Sequence, residues 1–504
     1  MSASTRHRLL LVSILCVPVL YRLPGLLHGL PDYPAADEPV LIALAVRVIK
    51  GEFNPGWFLY PSLYVYLNAV VLLVVHVVHF AGRITGLAAT PYTPYWMFFA
   101  GARALNLLMG ALSIGVVYKI AALVLSKKGA LLAAGILALL PLHFVHTMRV
   151  VPNTITFLTV ALATCYALLF LKKPGNAAYL YLSALWAGFA WGAKYMVPAP
   201  AAYLAALWFV CRRREERFLG KRLMSALAIT CLTFFISTPF SILSLATFLS
   251  SGPVSQHSIY QGGRTGMPLL FYLERLFFFD VTPLLFITAL AGLVLMLRNK
   301  RAETTVIVAI PGLWFGICCF YSYTVSRQVM TLSIPIAIWA ACAVQAISRP
   351  VVRRTLLVAA LAYPAWQCIV YSYEIARPDI RYQAAQWINT TLPPGSTIGR
   401  EEYTPFPSDA LFTTDYLGIR GVSRLNPDTA AARNYDYLLT SGHALFYNRP
   451  KVYHKEIANI EAILANYTLI QTFTLPGTYI RQDISIFMRD RVPTQCESDH
   501  QNEG

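Results

Sequence analysis

A polytopic bundle of membrane helices, followed by a separate α/β domain outside the bilayer, is the fold the sequence predicts. Three observations predict it. Of 504 residues, 57% are apolar and only 13% are charged, against about 25% charged in a soluble chain. Apolar runs recur from residue 8 to residue 373, and the mean hydropathy is +0.53. The net charge of +17 is unevenly divided: residues 1–373 carry 29 Lys/Arg against 9 Asp/Glu, and residues 374–504 carry 12 against 15. These figures exclude a soluble enzyme, a disordered chain and a disulfide-stapled secreted module. Nucleic acid is not an expected partner, because the basic residues sit at helix ends and form no continuous stripe. Eight of the nine cysteines lie in apolar runs and no CxxC occurs, so they read as small hydrophobic fillers.

The runs fall at 8–27, 60–81, 98–125, 129–148, 153–171, 177–195, 196–211, 223–243, 271–297, 304–323, 327–347 and 355–373. Most are long enough for about 30 Å of hydrocarbon. The first follows Arg6 and Arg8 and has no small-residue cleavage site after it, so it reads as a retained anchor. Basic clusters at Lys127-Lys128, Lys172-Lys173, Arg212 to Arg214, Lys221-Arg222, Arg298 to Arg301 and Arg349 with Arg353-Arg354 follow every second run from 98–125 onward. Positive residues stay on the cytoplasmic side. Parity then holds only if 60–81 does not cross, which gives eleven transmembrane helices with 60–81 lying at the outer surface or re-entering. Its aromatic and slightly polar pattern suits an interfacial helix.

This topology puts residues 374–504 outside as an α/β domain, after a membrane domain of 1–373 whose outer loops are 28–97 and 244–270. The spacing predicts helices at 381–388 and 454–466. Strands are expected near Thr397 and at 435–440, 468–474 and 484–489. Arg400-Glu-Glu-Tyr403 reads as ordinary polar surface.

Six of the nine acids in 1–373 map to the outer face: Asp32, Asp37, Glu38, Glu52, Glu274 and Asp280. A carboxylate deep in the bilayer, the mark of an ion pump, is missing. The stretch from Asp37 to Gly51 has its helix signals written in: Asp37 suits an N-cap, Glu38 and Pro39 the first turn, and Gly51 the stop. Two readings of the acidic pair stay open. It caps the helix, or one of the two is a general base held within about 3 Å of the proton it takes.

The Asp37-Glu38 pair soon after the first membrane helix is followed by Phe58-Leu-Tyr-Pro-Ser-Leu-Tyr-Val-Tyr-Leu67. This start resembles membrane glycosyltransferases of the GT-C superfamily, of the protein O-mannosyltransferase and lipid-A aminoarabinose transferase types. Further segments agree in order: Arg103-Ala-Leu-Asn-Leu-Leu-Met-Gly110, Ser126-Lys-Lys-Gly129, the outer loop from Leu140 to Asn153, Trp186-Ala-Gly-Phe-Ala-Trp-Gly-Ala-Lys-Tyr195, and Arg327-Gln-Val-Met-Thr-Leu-Ser-Ile-Pro335. The similarity covers about 30–390.

The resemblance implies a sugar donor on a polyprenyl phosphate and an acceptor hydroxyl on a protein, lipid or glycan. It also implies transfer with inversion at the extracytoplasmic face of a bacterial or archaeal plasma membrane. Asp37, with Glu38 beside it, would take the hydroxyl proton. Arg149, Lys194, Arg264 and Arg327 are the candidate cations for the lipid phosphate, with Tyr60, Asn153 and His257 as further lining. Each cation also suits a side chain that snorkels to headgroups. Two departures stand out. Tyr60 replaces the Lys that aminoarabinose-transferase relatives carry before the proline. Asn153 stands where relatives often have Asp and is a poorer ligand for a hard cation, which argues against a divalent metal. A lipid-linked-sugar transporter would need polar residues through the bilayer core, and these helices offer little there beyond Ser, Thr and Asn. A membrane-anchored binding protein would not need eleven helices.

Overall fold

The computed structural model describes residues 3–35, 37–196, 219–251, 268–320, 324–418, 421–425, 435–441, 454–475 and 482–490. The chain divides into two compact units, Met1–Ala376 and Arg377–Gly504.

In the first unit, α1 (Ala3–Arg22) leads through a 3-10 turn (Leu23–Leu26) to the short α2 (Glu38–Ile49) and then to α3 (Leu63–Ile84). The bundle continues with α4 (Tyr95–Val124), α5 (Lys127–Ala138), α6 (Pro141–His146), α7 (Asn153–Lys172) and α8 (Ala177–Ala193). After them come α9 (Leu219–Ser237), α10 (Pro268–Arg275), α11 (Pro283–Asn299), α12 (Arg301–Cys318), α13 (Ser333–Ala346) and α14 (Pro350–Ala376). Among the described residues, eight helices are long and apolar enough to cross a membrane, or nine if one bent pair counts as a span. The predicted eleven differ for identifiable reasons. The run at 129–148 breaks where Leu140 turns extended before Pro141, leaving α5 with 12 residues. The helix α8 has 17 residues, and the run at 196–211 lies almost wholly outside the described residues. The run at 271–297 is not one helix: it bends by 113° ahead of Pro283, which cannot continue the preceding ladder.

Buried on nearly all sides, α7 and α13 form the centre, as expected of helices apolar all round. Small residues let helices of the bundle close on one another. A Cβ on Gly188 of α8 would meet Thr230 O of α9 at 2.6 Å, and one on Gly292 of α11 would run into the Trp339 backbone of α13.

By length and composition α3 can cross a membrane. Its contacts pair it with α4 and the loop before it. Tyr64 at its start bonds Asn106 of α4, whereas His76 meets Thr93, His79 meets Thr90, and Arg83 donates to Pro91 O near its end. The end of α3 thus meets the loop before α4 and its start meets Asn106, the twelfth residue of α4, so the two helices run antiparallel side by side. Val70, Val74, Val77 and Ile84 stay exposed on its outer side, a face suited to lipid.

The second unit begins with α15 (Ile380–Thr391) and folds as a five-stranded sheet of order β2-β1-β3-β5-β4. The strands are β1 (Thr397–Glu401), β2 (Thr413–Gly418), β3 (Tyr437–Thr440), β4 (Tyr467–Leu475) and β5 (Gln482–Arg489), with α16 (His454–Leu464) before β4. β1 pairs parallel with β2 and β3, and β5 pairs antiparallel with β3 and β4. The strand β2 was not foreseen; its sequence, Thr-Thr-Asp-Tyr-Leu-Gly, buries little, and an edge strand leaves no clean alternation.

Glu401 corrects the reading of 400–403 as ordinary surface. It is buried and accepts from Val422 N at 3.0 Å and Ser441 N at 3.1 Å, tying the end of β1 to the end of β3. Burial pushes its carboxyl above the ordinary 4.5, although the two amide bonds oppose the shift. Because the folded unit holds this proton more tightly than the unfolded chain, its stabilising effect is full below 4.5. It is lost as pH rises through the folded value. Thermal unfolding of the second unit should therefore show a decline in stability above pH 4.5, and Glu401→Gln should flatten it. An unchanged pH slope in the variant would refute the assignment.

Candidate active site

The amino end of α2 sits at the junction of several helix ends. Glu38 is 1% exposed and grips Arg103 of α4 in a two-pronged pair: Nη2 donates to Oε2 at 2.6 Å and Nε donates to Oε1 at 3.0 Å. The same carboxylate accepts from Ala35 N at 2.9 Å and Val150 N at 3.1 Å. The remaining arm of Arg103 donates to the carbonyls of Gly25, Leu26 and His28. One buried ion pair thus ties the turn after α1, the start of α2, the first third of α4 and the loop before α7. All of Glu38's oxygen capacity faces donors, so its carboxylate frames the site.

Asp37 is at the N-cap position of α2, but its side chain makes no capping bond. Oδ2 instead lies 2.9 Å from Arg327 Nη2, the two side chains being 33% and 21% exposed. Among the described residues no aligned hydrogen bond reaches Oδ2, which is buried against the guanidinium. A carboxylate that declines the cap available to it, beside a half-open cation, is placed for something other than helix stability.

Three more cations converge. Asn153, the first residue of α7, donates from Nδ2 to Arg327 O at 2.6 Å, and its Oδ1 accepts from Lys194 Nζ at 3.5 Å. Lys194 also stands 5.7 Å above the Trp314 ring. Arg149 is bonded by the Tyr371 phenol, and its carbonyl accepts from Asn106 Nδ2 at 2.6 Å. His146, at the end of α6, is within reach of the charges of Arg149, Arg327, Arg275 and Lys194, and burial together with those charges drives its imidazole well below the ordinary 6.5. It is held neutral, with Nδ1 unpartnered among the described residues. The Tyr60 ring sits edge-on to Trp57 at 5.7 Å, within the cluster formed by α2 and α3. His257 and Arg264 lie outside the described residues.

The structure therefore gathers Asp37, Arg149, Asn153, Lys194 and Arg327 at one end of the bundle. Sequence reasoning missed Arg103 as the partner of Glu38, and it missed Arg275. Arg103 had a signal: a lone charge inside a strongly apolar stretch requires a partner. The end of the bundle carrying Ser126, which meets Gln345, and Arg222, which donates to Pro174 O at 3.1 Å, holds the basic clusters instead.

A groove of about 620 Å³ opens beside α2 and α3, lined by Val48, Ile49, Phe53, Tyr66, Leu73 and Phe240 and almost wholly apolar.

A family model described as dolichyl-phosphate-mannose-protein mannosyltransferase matches residues 98–240. No curated protein matches the chain by sequence. Among solved structures, ArnT from Cupriavidus metallidurans in the apo state has a TM-score of 0.54 at 14% identity, covering 96% of this chain and 98% of ArnT. The same protein bound to undecaprenyl phosphate gives 0.53 at 13%, with the same coverage. The Archaeoglobus fulgidus oligosaccharyltransferase tethered to an acceptor peptide gives 0.53 at 14%, covering 96% of this chain and 75% of the other. At these identities the likeness establishes the fold, which is that of GT-C membrane glycosyltransferases.

Proposed function

We propose that this membrane glycosyltransferase of the GT-C fold moves one sugar from a polyprenyl-phosphate donor to an acceptor hydroxyl, with inversion, outside the cytoplasm. The observation that carries the reading is the Asp37–Arg327 pair, a carboxylate free of its cap and set among cations. The acceptor oxygen attacks the anomeric carbon as the bond from that carbon to the phosphate oxygen breaks. The bonding pair leaves on the phosphate, and the hydroxyl proton passes to Asp37. The donor phosphodiester carries one negative charge and the departing lipid phosphate carries two. Cations near that oxygen thus hold the transition state more tightly than the donor, the condition for faster chemistry. Arg149, Lys194 and Arg327 supply this field. The apolar groove beside α2 suits an isoprenoid tail. The family match and the ArnT complex support a lipid-linked donor. Mannose is the sugar the family description favours, and a protein, lipid or glycan hydroxyl remains the acceptor class.

The donor set does not suit a divalent cation. Asp37 faces Arg327, and both polar atoms of Asn153 are engaged by Lys194 and by the Arg327 carbonyl. Among the described residues no three of His, Cys, Asp or Glu gather in metal-binding range. Chelation with EDTA should leave the transfer rate unchanged within about twofold; abolition restored by one divalent metal would overturn this reading of the site. The function itself is tested with membranes containing the protein, a radiolabelled polyprenyl-phosphate sugar and an acceptor extract. Covalent label in the acceptor is expected. Movement of intact donor across sealed vesicles with no covalent product would replace the transferase with a transporter.

A further inference from the structure

We propose that Arg275 is a fourth phosphate-holding cation of this site and that Asp280 is the positioning residue that aims it. The inference rests on the transferase reading above. Arg275 ends α10, and the next five residues, Leu276–Asp280, form a π-helical stretch. Two residues later Thr282 takes φ +83°, a region β-branched residues avoid, directly before Pro283 opens α11. Backbone departures of this kind persist where surrounding contacts enforce them and gather at working sites. Asp280 lies between the two departures. Its side chain is 2% exposed, Oδ1 is 3.6 Å from Arg275 Nη2, and Oδ2 has no hydrogen-bond partner among the described residues.

Three contacts fix the Arg275 guanidinium. Nε donates to Ser326 Oγ at 3.1 Å, the Phe279 ring lies 4.5 Å beneath it, and Asp280 stands to one side. Ser326 immediately precedes Arg327, the partner of Asp37, so the residue that holds Arg275 is the chain neighbour of the other acid–arginine pair. Arg275 also belongs to the group of four cations whose charge reaches His146. With 28% of its side chain exposed, it keeps donors available to a ligand. A planar fork beside Arg327 matches phosphate oxygens in a way a mobile lysine does not. Burying Asp280 is otherwise costly, and its purpose is to hold the fork against the repulsion of the neighbouring cations.

The test is binding of a polyprenyl monophosphate to the full-length protein in nanodiscs of neutral phospholipid. Arg275→Gln should weaken binding about 10- to 100-fold, the loss of one or two charge-assisted bonds. Asp280→Asn should weaken it less, Asp280→Glu should restore most of the loss, and Asp280→Asn added to Arg275→Gln should change nothing further. Unaltered affinity in Arg275→Gln, or additive losses in the double variant, would overturn the proposal. So would an equal Arg275 dependence in nanodiscs of anionic phospholipid, the mark of a headgroup-seeking side chain, or equal affinity for inorganic phosphate alone. If the variants do not fold, arginine-specific labelling of the wild-type protein decides: the lipid phosphate should shield Arg275, and unchanged labelling rejects the assignment. Wild-type protein that binds no polyprenyl phosphate would instead sink the transferase reading.

Discussion

Asp37→Asn lowers kcat by about 10²- to 10⁴-fold, the range a positioned general base contributes, and leaves the protein folded. The substitution is chosen to separate two roles. Asn caps helices as well as Asp does, so a side chain valued only for the start of α2 tolerates the change. In any case Asp37 makes no capping bond. The variant also removes the negative charge that faces Arg327 at 2.9 Å. Arg327 then loses a competitor of the lipid phosphate, so the donor KM should stay level or fall while kcat drops. Arg327→Gln should do the reverse to donor binding, raising KM. A loss of kcat with KM unraised is the signature of an interaction made in the transition state alone. Full transfer activity in Asp37→Asn would remove the base from the mechanism, and a rise in donor KM without loss of kcat would recast Asp37 as a binding group.

Much of this site could be read from the chain before any coordinates, and the reason is the scarcity of charge. In an apolar stretch of 373 residues with nine acids, each carboxylate stands out, and Asp37 and Glu38 were singled out together. What the sequence could not divide was the labour between them. Adjacent residues at a helix start point about 100° apart, and which one turns inward depends on where Arg103 sits, 65 positions away. Lys194, Asn153 and Arg327 were named separately, but their mutual bonds depend on helix ends meeting in space. Asp280 was counted among the outer acids, but its pairing with Arg275 stayed hidden because 271–297 reads as one apolar run. The 113° break there comes from local backbone geometry around Thr282, which no apolar period encodes. In the second unit the helices and the well-buried strands followed from alternation and turn residues, whereas the edge strand β2, with little to bury, left no such trace.

Breaking the Glu38–Arg103 pair should cost more stability than any other single change in the first unit, about 3–5 kcal/mol for a buried pair that loses one member. Arg103→Met leaves Glu38 charged at 1% exposure and strips three carbonyls, of Gly25, Leu26 and His28, of their donor. Glu38→Ala strands the guanidinium and the amides of Ala35 and Val150. Replacing both residues with apolar ones removes the unpaired charge but not the orphaned backbone groups, each worth about 1–3 kcal/mol, so the double variant should regain only part of the loss. Resistance to limited proteolysis and the midpoint of thermal unfolding in detergent measure this. Activity should fall in step with the folded fraction, because the pair holds the loop before α7 and the start of α2 together, and with them Arg149 and Asp37. Glu38→Gln gives the sharpest result. It keeps an acceptor for one amide and is expected to unfold at a distinctly lower temperature. Were it instead as stable as the wild type and inactive, the two acids would have to exchange roles, with Glu38 taking the proton and Asp37 holding the frame.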